Sequence, residues 1–432
     1  MELVLPFLVL FALLAIGVPV SFSLGLSGIL GLTLSIGWDS TMSMVATVPY
    51  RTGTGFLLTT VPTFLLMAEF LAGGRIAKDL YSAMFAWLGR IRGGLAIATT
   101  VASGGMGAMT GSSTATAATF SAVGVPHMRE YGYKDRLSVG SIAAAGTLAS
   151  IIPPSVALII YGITTETAIG DLFTAGALPG VLTVFAYVAV IYLRVRTNPE
   201  LAPGRPDRMS ITAKLRALSK VWPTVVLIAL VLGGIYGGLV TPTEAGAFGA
   251  AGALVLSVLF GGLRAKGIWR ALVRTAESTT MIISIVMFAS IFGYFLTTTR
   301  VAPTIVSAIE SSGFPTLIVM ALIVLLYLVL GTFMDQIAIL VVTLPITFPL
   351  ITSLGYDPIW FGILVIKLGE IGLISPPVGL NVYVAAGAAP NVRLGEVFRG
   401  VTPFIVVELL LIVVMFLFPS LATWLPGVLA TK

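Results

Sequence analysis

The sequence predicts an all-α, polytopic membrane protein built from two inverted repeats, with about ten spans, two re-entrant hairpins and two proline-broken helices. Three observations lead there. Mean hydropathy is +1.05 and only 10% of the 432 residues are charged, whereas a soluble domain carries roughly 25%. A proline pair recurs in one context: Pro153-Pro154 begins 21 residues after Gly132, and Pro376-Pro377 begins 21 residues after Gly355, an offset of 223 between the copies. Finally, the basic residues sort between alternating loops, as worked out below.

Apolar runs of roughly 18 or more residues are read as spans. They fall near 3–20, 21–37, 54–72, 136–163, 176–193, 221–240, 245–263, 277–298, 359–388 and 401–419. Two of these runs, 136–163 and 359–388, contain the proline pairs. Proline removes a backbone donor and leaves carbonyls without helical partners, which hydrocarbon tolerates only where the backbone is buried in protein or lines a cavity. Two such breaks at corresponding places in two halves point to a binding site at the repeat interface. The stretches 93–125 and 316–350 are too long for one helix and have polar centres, Thr110-Gly111-Ser112-Ser113-Thr114 and Gly331-Thr332-Phe333-Met334-Asp335. Each is read as a hairpin that enters and leaves on one side.

With hairpins counted as non-crossing, the loops around 73–94, 127–136, 194–220, 264–274 and 390–400 share one side and hold 20 of the 24 Lys and Arg. Arg51, Arg300 and Lys432 fall on the other side, and Lys367 lies in a span. The positive-inside rule makes the first side cytoplasmic and puts both termini outside. Five crossings per half is an odd number, so the second half is inverted. The first hairpin then enters from the cytoplasm and the second from outside. Phe70-Leu71…Arg75-Ile76-Ala77 recurs as Phe295-Leu296…Arg300-Val301-Ala302, an echo that supports duplication. The division is 1–193 for the first repeat, 194–220 for a charged, proline-containing cytoplasmic linker, and 221–432 for the second repeat.

Composition also excludes chemistry. Zero cysteines rule out disulfides and thiol catalysis, and a single histidine rules out a multi-histidine metal site. No Gly-Lys dipeptide occurs, so no phosphate-binding P-loop is present. The chain is not expected to be an enzyme. The Met-Glu start lacks the basic region of a cleavable signal peptide.

The hairpin tips and the proline breaks are expected to meet near the midplane. Half-helix N-termini suit carboxylates, and unwound carbonyls suit Na⁺. The competing account is that the small Ser, Thr and Gly residues only let helices pack closely. Intramembrane carboxylates are costly, so Asp335 at the second tip binds a cation, carries a proton or anchors the tip. Lys367 and Glu370, three apart on one helix face, are expected to form a structural ion pair. Asn381, just after Pro377, suits a substrate oxygen or an orphan carbonyl equally. Glu69 and Glu408 lie near span ends and are read as snorkelling or capping groups, and His127 as a solvated loop residue. Ser113, Ser155, Asp335 and Asn381 are the candidate substrate contacts.

Several of these segments, Gly111-Ser112-Ser113-Thr114-Ala115-Thr116-Ala117-Ala118, Gly146-Thr147-Leu148 leading into Ile152-Pro153-Pro154-Ser155, and Gly331-Thr332-Phe333-Met334-Asp335 followed by Ile374-Ser375-Pro376-Pro377-Val378-Gly379-Leu380-Asn381, resemble the DctM-like large membrane subunit of TRAP (tripartite ATP-independent periplasmic) transporters. The resemblance covers essentially the whole chain. It implies an elevator-type secondary transporter of the bacterial inner membrane. Its mobile domain would hold both hairpins and both broken helices. The usual driver is a Na⁺ gradient and the usual substrates are organic acids, C4-dicarboxylates among them. The implied partners are a small four-helix membrane subunit and a soluble periplasmic substrate-binding protein. The small subunit is expected as a separate chain, since no further apolar spans precede Met1.

By the resemblance, one Na⁺ site uses Thr110 and Ser112 with carbonyls around Ala149, Ile152 and Pro154. The other uses Thr332 and Met334 with Gly372, Ser375 and Pro377. Ala149 stands where a glycine is expected, which leaves a carbonyl ligand but threatens close helix approach. The alternatives are a self-sufficient Na⁺/dicarboxylate symporter or Na⁺/H⁺ antiporter of related fold and, from another class, a membrane-embedded enzyme. An intramembrane protease would need a second aspartate to pair with Asp335, and none lies at membrane depth.

Overall fold

In hydrocarbon every backbone amide must find a partner within the protein, and a helix provides one locally. The computed structural model describes residues 4–204 and 206–430, which fold into helices without a strand among them. Met1 and Lys432, expected outside the cytoplasm, and Arg205 of the linker lie outside the described residues.

The first two apolar runs form α1 (Val4–Ala15) and α2 (Val20–Ile36). The next helix, α3 (Trp38–Gly53), has no counterpart among the expected spans, because Asp39, Arg51 and several hydroxyl residues break the apolar pattern. A short 3-10 turn, Phe56–Thr59, leads from it into α4 (Thr60–Ala72) across a bend of 53°. The expected basic loop at 73–94 contains α5 (Ile76–Leu88), which buries Leu80, Tyr81 and Ala83 and leaves Lys78 exposed. The first hairpin is α6 (Gly94–Thr110) and α7 (Ser113–Glu130). Gly111 closes α6 in the left-handed conformation, φ 57°, which a side chain would strain.

The first broken helix comprises α8 (Asp135–Gly146), α9 (Leu148–Ile151) and α10 (Val156–Thr165), bent by 40° at the proline pair. α11 (Ile169–Thr197) follows, and the linker carries α12 (Ile211–Leu218), which packs against α5. The second half continues through α13 (Trp222–Tyr236), α14 (Pro242–Leu259), the 34-residue α15 (Ala265–Thr298) and α16 (Val301–Ser312). The second hairpin is α17 (Thr316–Gly331) and α18 (Gln336–Ser353), and the second broken helix is α19 (Pro358–Ile374) with α20 (Leu380–Gly387). α21 (Leu394–Leu417) and α22 (Ser420–Ala430) complete the described chain. α15 starts inside the expected basic loop 264–274, and α21 starts inside 390–400. Apolar-run reading misses these amphipathic starts.

Five of these helices are long and apolar enough to cross a membrane alone, and up to eight spans result if each bent pair counts as one. The packing falls into two groups. α2 and α15 meet through Gly25, Gly28 and Gly31, and a side chain at Gly28 would strike the backbone of Phe292. α4 meets α14, with the Thr60 and Thr243 hydroxyls 2.7 Å apart. The second group wraps the hairpins around α8 and α19, and every residue from Trp360 to Ile374 is buried. A helix buried on all faces reads as apolar throughout, which is why α19 carries only two charges.

Those two charges do not pair with each other. Lys367 Nζ lies 2.6 Å from Glu408 Oε2 on α21 and donates to Thr183 on α11 at 2.9 Å. Glu408 is therefore no snorkelling group: it is 4% exposed and also accepts from Tyr187 at 2.6 Å. Positions 367 and 370 lie within reach along a helix, but the tertiary structure offers Lys367 a partner on another helix. Nor is His127 solvated. Its Nδ1 is 2.8 Å from the Tyr81 hydroxyl, and its ring packs on Phe85 and Tyr131. The neighbouring Arg129 is held to Asp135 by two bonds of 2.8 Å.

Candidate functional site

The two polar centres of the hairpins become helix caps. Ser112 caps α7, its Oγ accepting from Ala115 N at 3.4 Å. Asp335, 223 positions on, caps α18, its Oδ1 accepting from Ile337 N at 2.9 Å and Ala338 N at 3.2 Å. The residue equivalent to Ser112 is thus Asp335 rather than Thr332. Thr332 ends α17 and donates to Val329 O at 2.8 Å.

Each hairpin touches a proline break through glycine. At Gly111 a Cβ would lie 3.1 Å from Pro154 O and 3.0 Å from Val156 N. At Gly107 it would lie 2.7 Å from the Ala149 Cα. The close approach that Ala149 threatens is thus preserved by the glycine on the opposing helix. In the second half Gly331 lies against Gly372, where no side chain fits on either residue without moving the other backbone. Both Pro–Pro bonds are cis.

Between the tips, the breaks and the first packing group lies a cavity of about 380 Å³. Ser112, Ser113 and Thr114 open α7 at its wall, Asp335, Gln336 and Ile337 lead into α18, Val156 and Ala157 open α10, and Leu380 opens α20. Four helix N-termini therefore face one space. Ser150 and Leu373 come from the preceding half-helices, Leu65 from α4, and Ser278, Met281 and Ile282 from α15. No Lys, Arg or His lines it. The helix N-termini contribute partial positive charge there, each equivalent to about half a charge, and the Asp335 carboxylate in the same wall caps one of them.

The other candidates fall nearby. Thr110 is buried with its hydroxyl 3.0 Å from that of Thr116. Ile152 ends α9 in an extended conformation. Ser155 is fully buried as the cap of α10, at 3.4 Å from Leu158 N, and does not line the cavity. Asn381, next to Leu380 in α20, is also fully buried and does not line the cavity, and neither amide atom has a hydrogen-bond partner. Thr332, Ser375 and Pro377 share a second cavity of about 380 Å³ with Ile405 and Leu409 of α21. Met334 packs on the apolar core. Ser375 donates to Ile371 O at 2.6 Å.

Sequence reading missed Ser150, Gln336 and Ser278. Gln336 was visible as a second polar residue beside Asp335. Ser278 gave no signal, because only packing brings α15 to the tips. A larger cavity of about 470 Å³ lies further along α15, between Val286, Ser290, Gly293 and Thr297 and the prolines of α18. It holds no ionisable side chain.

Residues 7–421 match the family model described as "Tripartite ATP-independent periplasmic transporter, DctM component". A C4-dicarboxylate TRAP transporter large permease protein, DctM, of Pseudomonas aeruginosa is 35% identical over 94% of both chains. The ectoine TRAP transporter large permease protein TeaC of Halomonas elongata is 32% identical over 96% of both. Among solved structures, the Alcanivorax borkumensis YdaH transporter superposes with a TM-score of 0.60 at 16% identity, over 90% of this chain and 88% of that one, so the likeness is one of fold. The relatives and the apolar helices together make this a multi-pass membrane protein. The chain belongs to the DctM component family of tripartite ATP-independent periplasmic transporters.

Proposed function

We propose that this chain is the translocating subunit of a Na⁺-driven importer of an organic acid in the bacterial inner membrane, working by an elevator motion. The observation that carries this reading is the cavity onto which four helix N-termini open without a basic side chain. Free N–H groups and partial positive charge favour a carboxylate there. The named relatives handle a C4-dicarboxylate and ectoine, each of which bears a carboxylate.

Na⁺ enters as co-substrate. The first site would use the Thr110 and Ser112 tip with carbonyls at Ala149, Ile152 and Pro154. The second would use Thr332 and Met334 with Gly372, Ser375 and Pro377. The contact of Gly111 with Pro154 O supports the first assignment, since that carbonyl has left the helical pattern, and the contact of Gly331 with Gly372 supports the second by setting that tip against the last turn of α19 before the break. Ser113 and Asp335 at the cavity wall would meet substrate, with Ser155 and Asn381 behind them. In the elevator reading the hairpins and broken helices move as one body along α4 and α15. Two cavities along one side of α15, at 278–282 and 286–297, support a sliding contact there. Ten crossings, inverted halves and re-entrant hairpins belong to the same proposal.

A small membrane subunit and a periplasmic binding protein complete the transporter. The test is uptake of labelled C4-dicarboxylates and related acids into proteoliposomes holding both membrane subunits, with binding protein outside. Uptake should need an inward Na⁺ gradient and the binding protein. Equal uptake without the gradient refutes Na⁺ coupling, and uptake without the binding protein indicates a self-sufficient symporter.

A further inference from the structure

The linker helix α12 is amphipathic. Ile211, Leu215 and Leu218, spaced four and three apart, form one stripe, and all three are exposed, Ile211 at 75%. On another side Ala213, Lys214 and Ala217 are half-buried where α12 packs on α5. Arg216 and Lys220 are exposed on a third. Trp87 of α5 fixes the packing: its Nε1 donates to Lys214 O at 3.3 Å, and Lys214 Nζ stands 5.6 Å from the centre of its ring.

The stripe runs on into a lipid-facing surface. α12 meets α13 at a bend of 45°, and α13 exposes Trp222, Val225, Val226 and Leu230. Trp87 is exposed as well. Tryptophan gathers at the membrane–water boundary, so Trp87 and Trp222 set α12 at that level. A short helix with an apolar stripe and basic flanks is stable there, its stripe toward the acyl chains.

Between α5 and the linker lies a cavity of about 320 Å³. Arg90, Arg208 and Lys214 line it together with Asp207, so three positive charges less one negative leave a net charge of +2. None of the three cations is in an ion pair among the described residues. Like charges around one space repel, and an anion placed among them removes that cost. Guanidinium groups fit phosphate oxygens in particular. Lys214 stands next to both Ile211 and Leu218 around the helix, so the cavity adjoins the stripe.

We propose that Arg90, Arg208 and Lys214 hold the phosphate of an anionic phospholipid whose acyl chains lie along Ile211, Leu215 and Leu218. A free phosphate would satisfy the cations and leave the stripe bare. An apolar segment of another protein would cover the stripe and leave the cations unpaired. An anionic lipid meets both needs. Bound there, it pins the linker between the repeats to α5, the helix that leads into the first hairpin.

The test is lipid retention by the purified full chain, read by native mass spectrometry after equilibration with mixed phosphatidylglycerol and phosphatidylcholine. Wild type should retain phosphatidylglycerol preferentially. A basic residue beside an anionic lipid surface is worth about fivefold in binding, so the double variant Arg90→Gln, Arg208→Gln should weaken retention by about 25-fold. Should the double variant not fold, either single decides, at about fivefold. Arg216→Gln, which removes an exposed cation outside the cavity, should leave retention near wild type. Soluble glycerol phosphate should not displace the lipid. In the complex with the small membrane subunit, a fluorophore on Leu215→Cys should be quenched by brominated acyl chains. Unchanged retention in the double variant overturns the site, and so does an equal loss in Arg216→Gln, which would make the attraction diffuse. Displacement by glycerol phosphate reassigns the cavity to a soluble anion, and a shielded fluorophore assigns the stripe to a protein; either result overturns the lipid.

Discussion

Replacing Lys367 by Met should be among the most destabilising single changes in this protein, and a second replacement should rescue it. The Lys367–Glu408 pair is 2.6 Å long, with side chains 3% and 6% exposed. Without the ammonium, Glu408 keeps only the Tyr187 hydroxyl at 2.6 Å as a partner and remains a buried charge. Removing one member of such a pair costs about 3–5 kcal/mol, whereas replacing both by apolar groups is often neutral or stabilising. In the double variant Lys367→Met, Glu408→Leu the Tyr187 hydroxyl loses its acceptor but retains Thr147 at 3.0 Å. The residual loss should then be about one hydrogen bond, 0.5–1.5 kcal/mol. Folded proteins hold roughly 5–15 kcal/mol in reserve, so the single variant should unfold well below wild type and the double variant close to it. The assay is unfolding of purified protein in one fixed lipid environment, followed by tryptophan fluorescence. Single-variant losses that add in the double to within about 0.5 kcal/mol would show no coupling and refute the reasoning.

Two further outcomes are expected. Gly372→Ala drives a methyl into the Gly331 backbone and should cost about 1–3 kcal/mol of overpacking while weakening Na⁺ dependence of uptake; wild-type stability would refute backbone contact between α17 and α19. Ser112→Ala and Asp335→Ala remove equivalent caps and should each cost about 0.5–2 kcal/mol. Uptake kinetics should then separate them, Ser112→Ala raising half-saturating Na⁺ and Asp335→Ala raising the KM for substrate, and identical kinetic defects would count against the two roles.

Much of this protein is determined by its sequence alone. Hydrocarbon forces backbone polar groups to pair within each segment, so long apolar runs become helices, and a proline pair must break them wherever it falls. That logic located α6–α7 and α17–α18 as hairpins and α8–α10 and α19–α20 as broken helices, and the shared motifs pointed to the family. Helices whose apolar residues form only a stripe escaped it. α3 and α5 carry charged residues, and α16 the exposed hydroxyls of Thr304 and Ser307, and none of them reads as an apolar run. Pairing across helices escaped it too. Local spacing put Lys367 beside Glu370, but the packing of α19 against α11 and α21 gave the lysine to Glu408 and Thr183 and left Glu370 among hydroxyls. The same holds for the cavity. The sequence named its tips, Ser112 and Asp335, with Gln336 beside the second, while Ser150 and Ser278 arrive there from other elements of the chain. A helix's own hydrogen bonds are decided within four residues. The surroundings of a buried charge are decided by whichever helices pack around it, and only the tertiary structure supplies those.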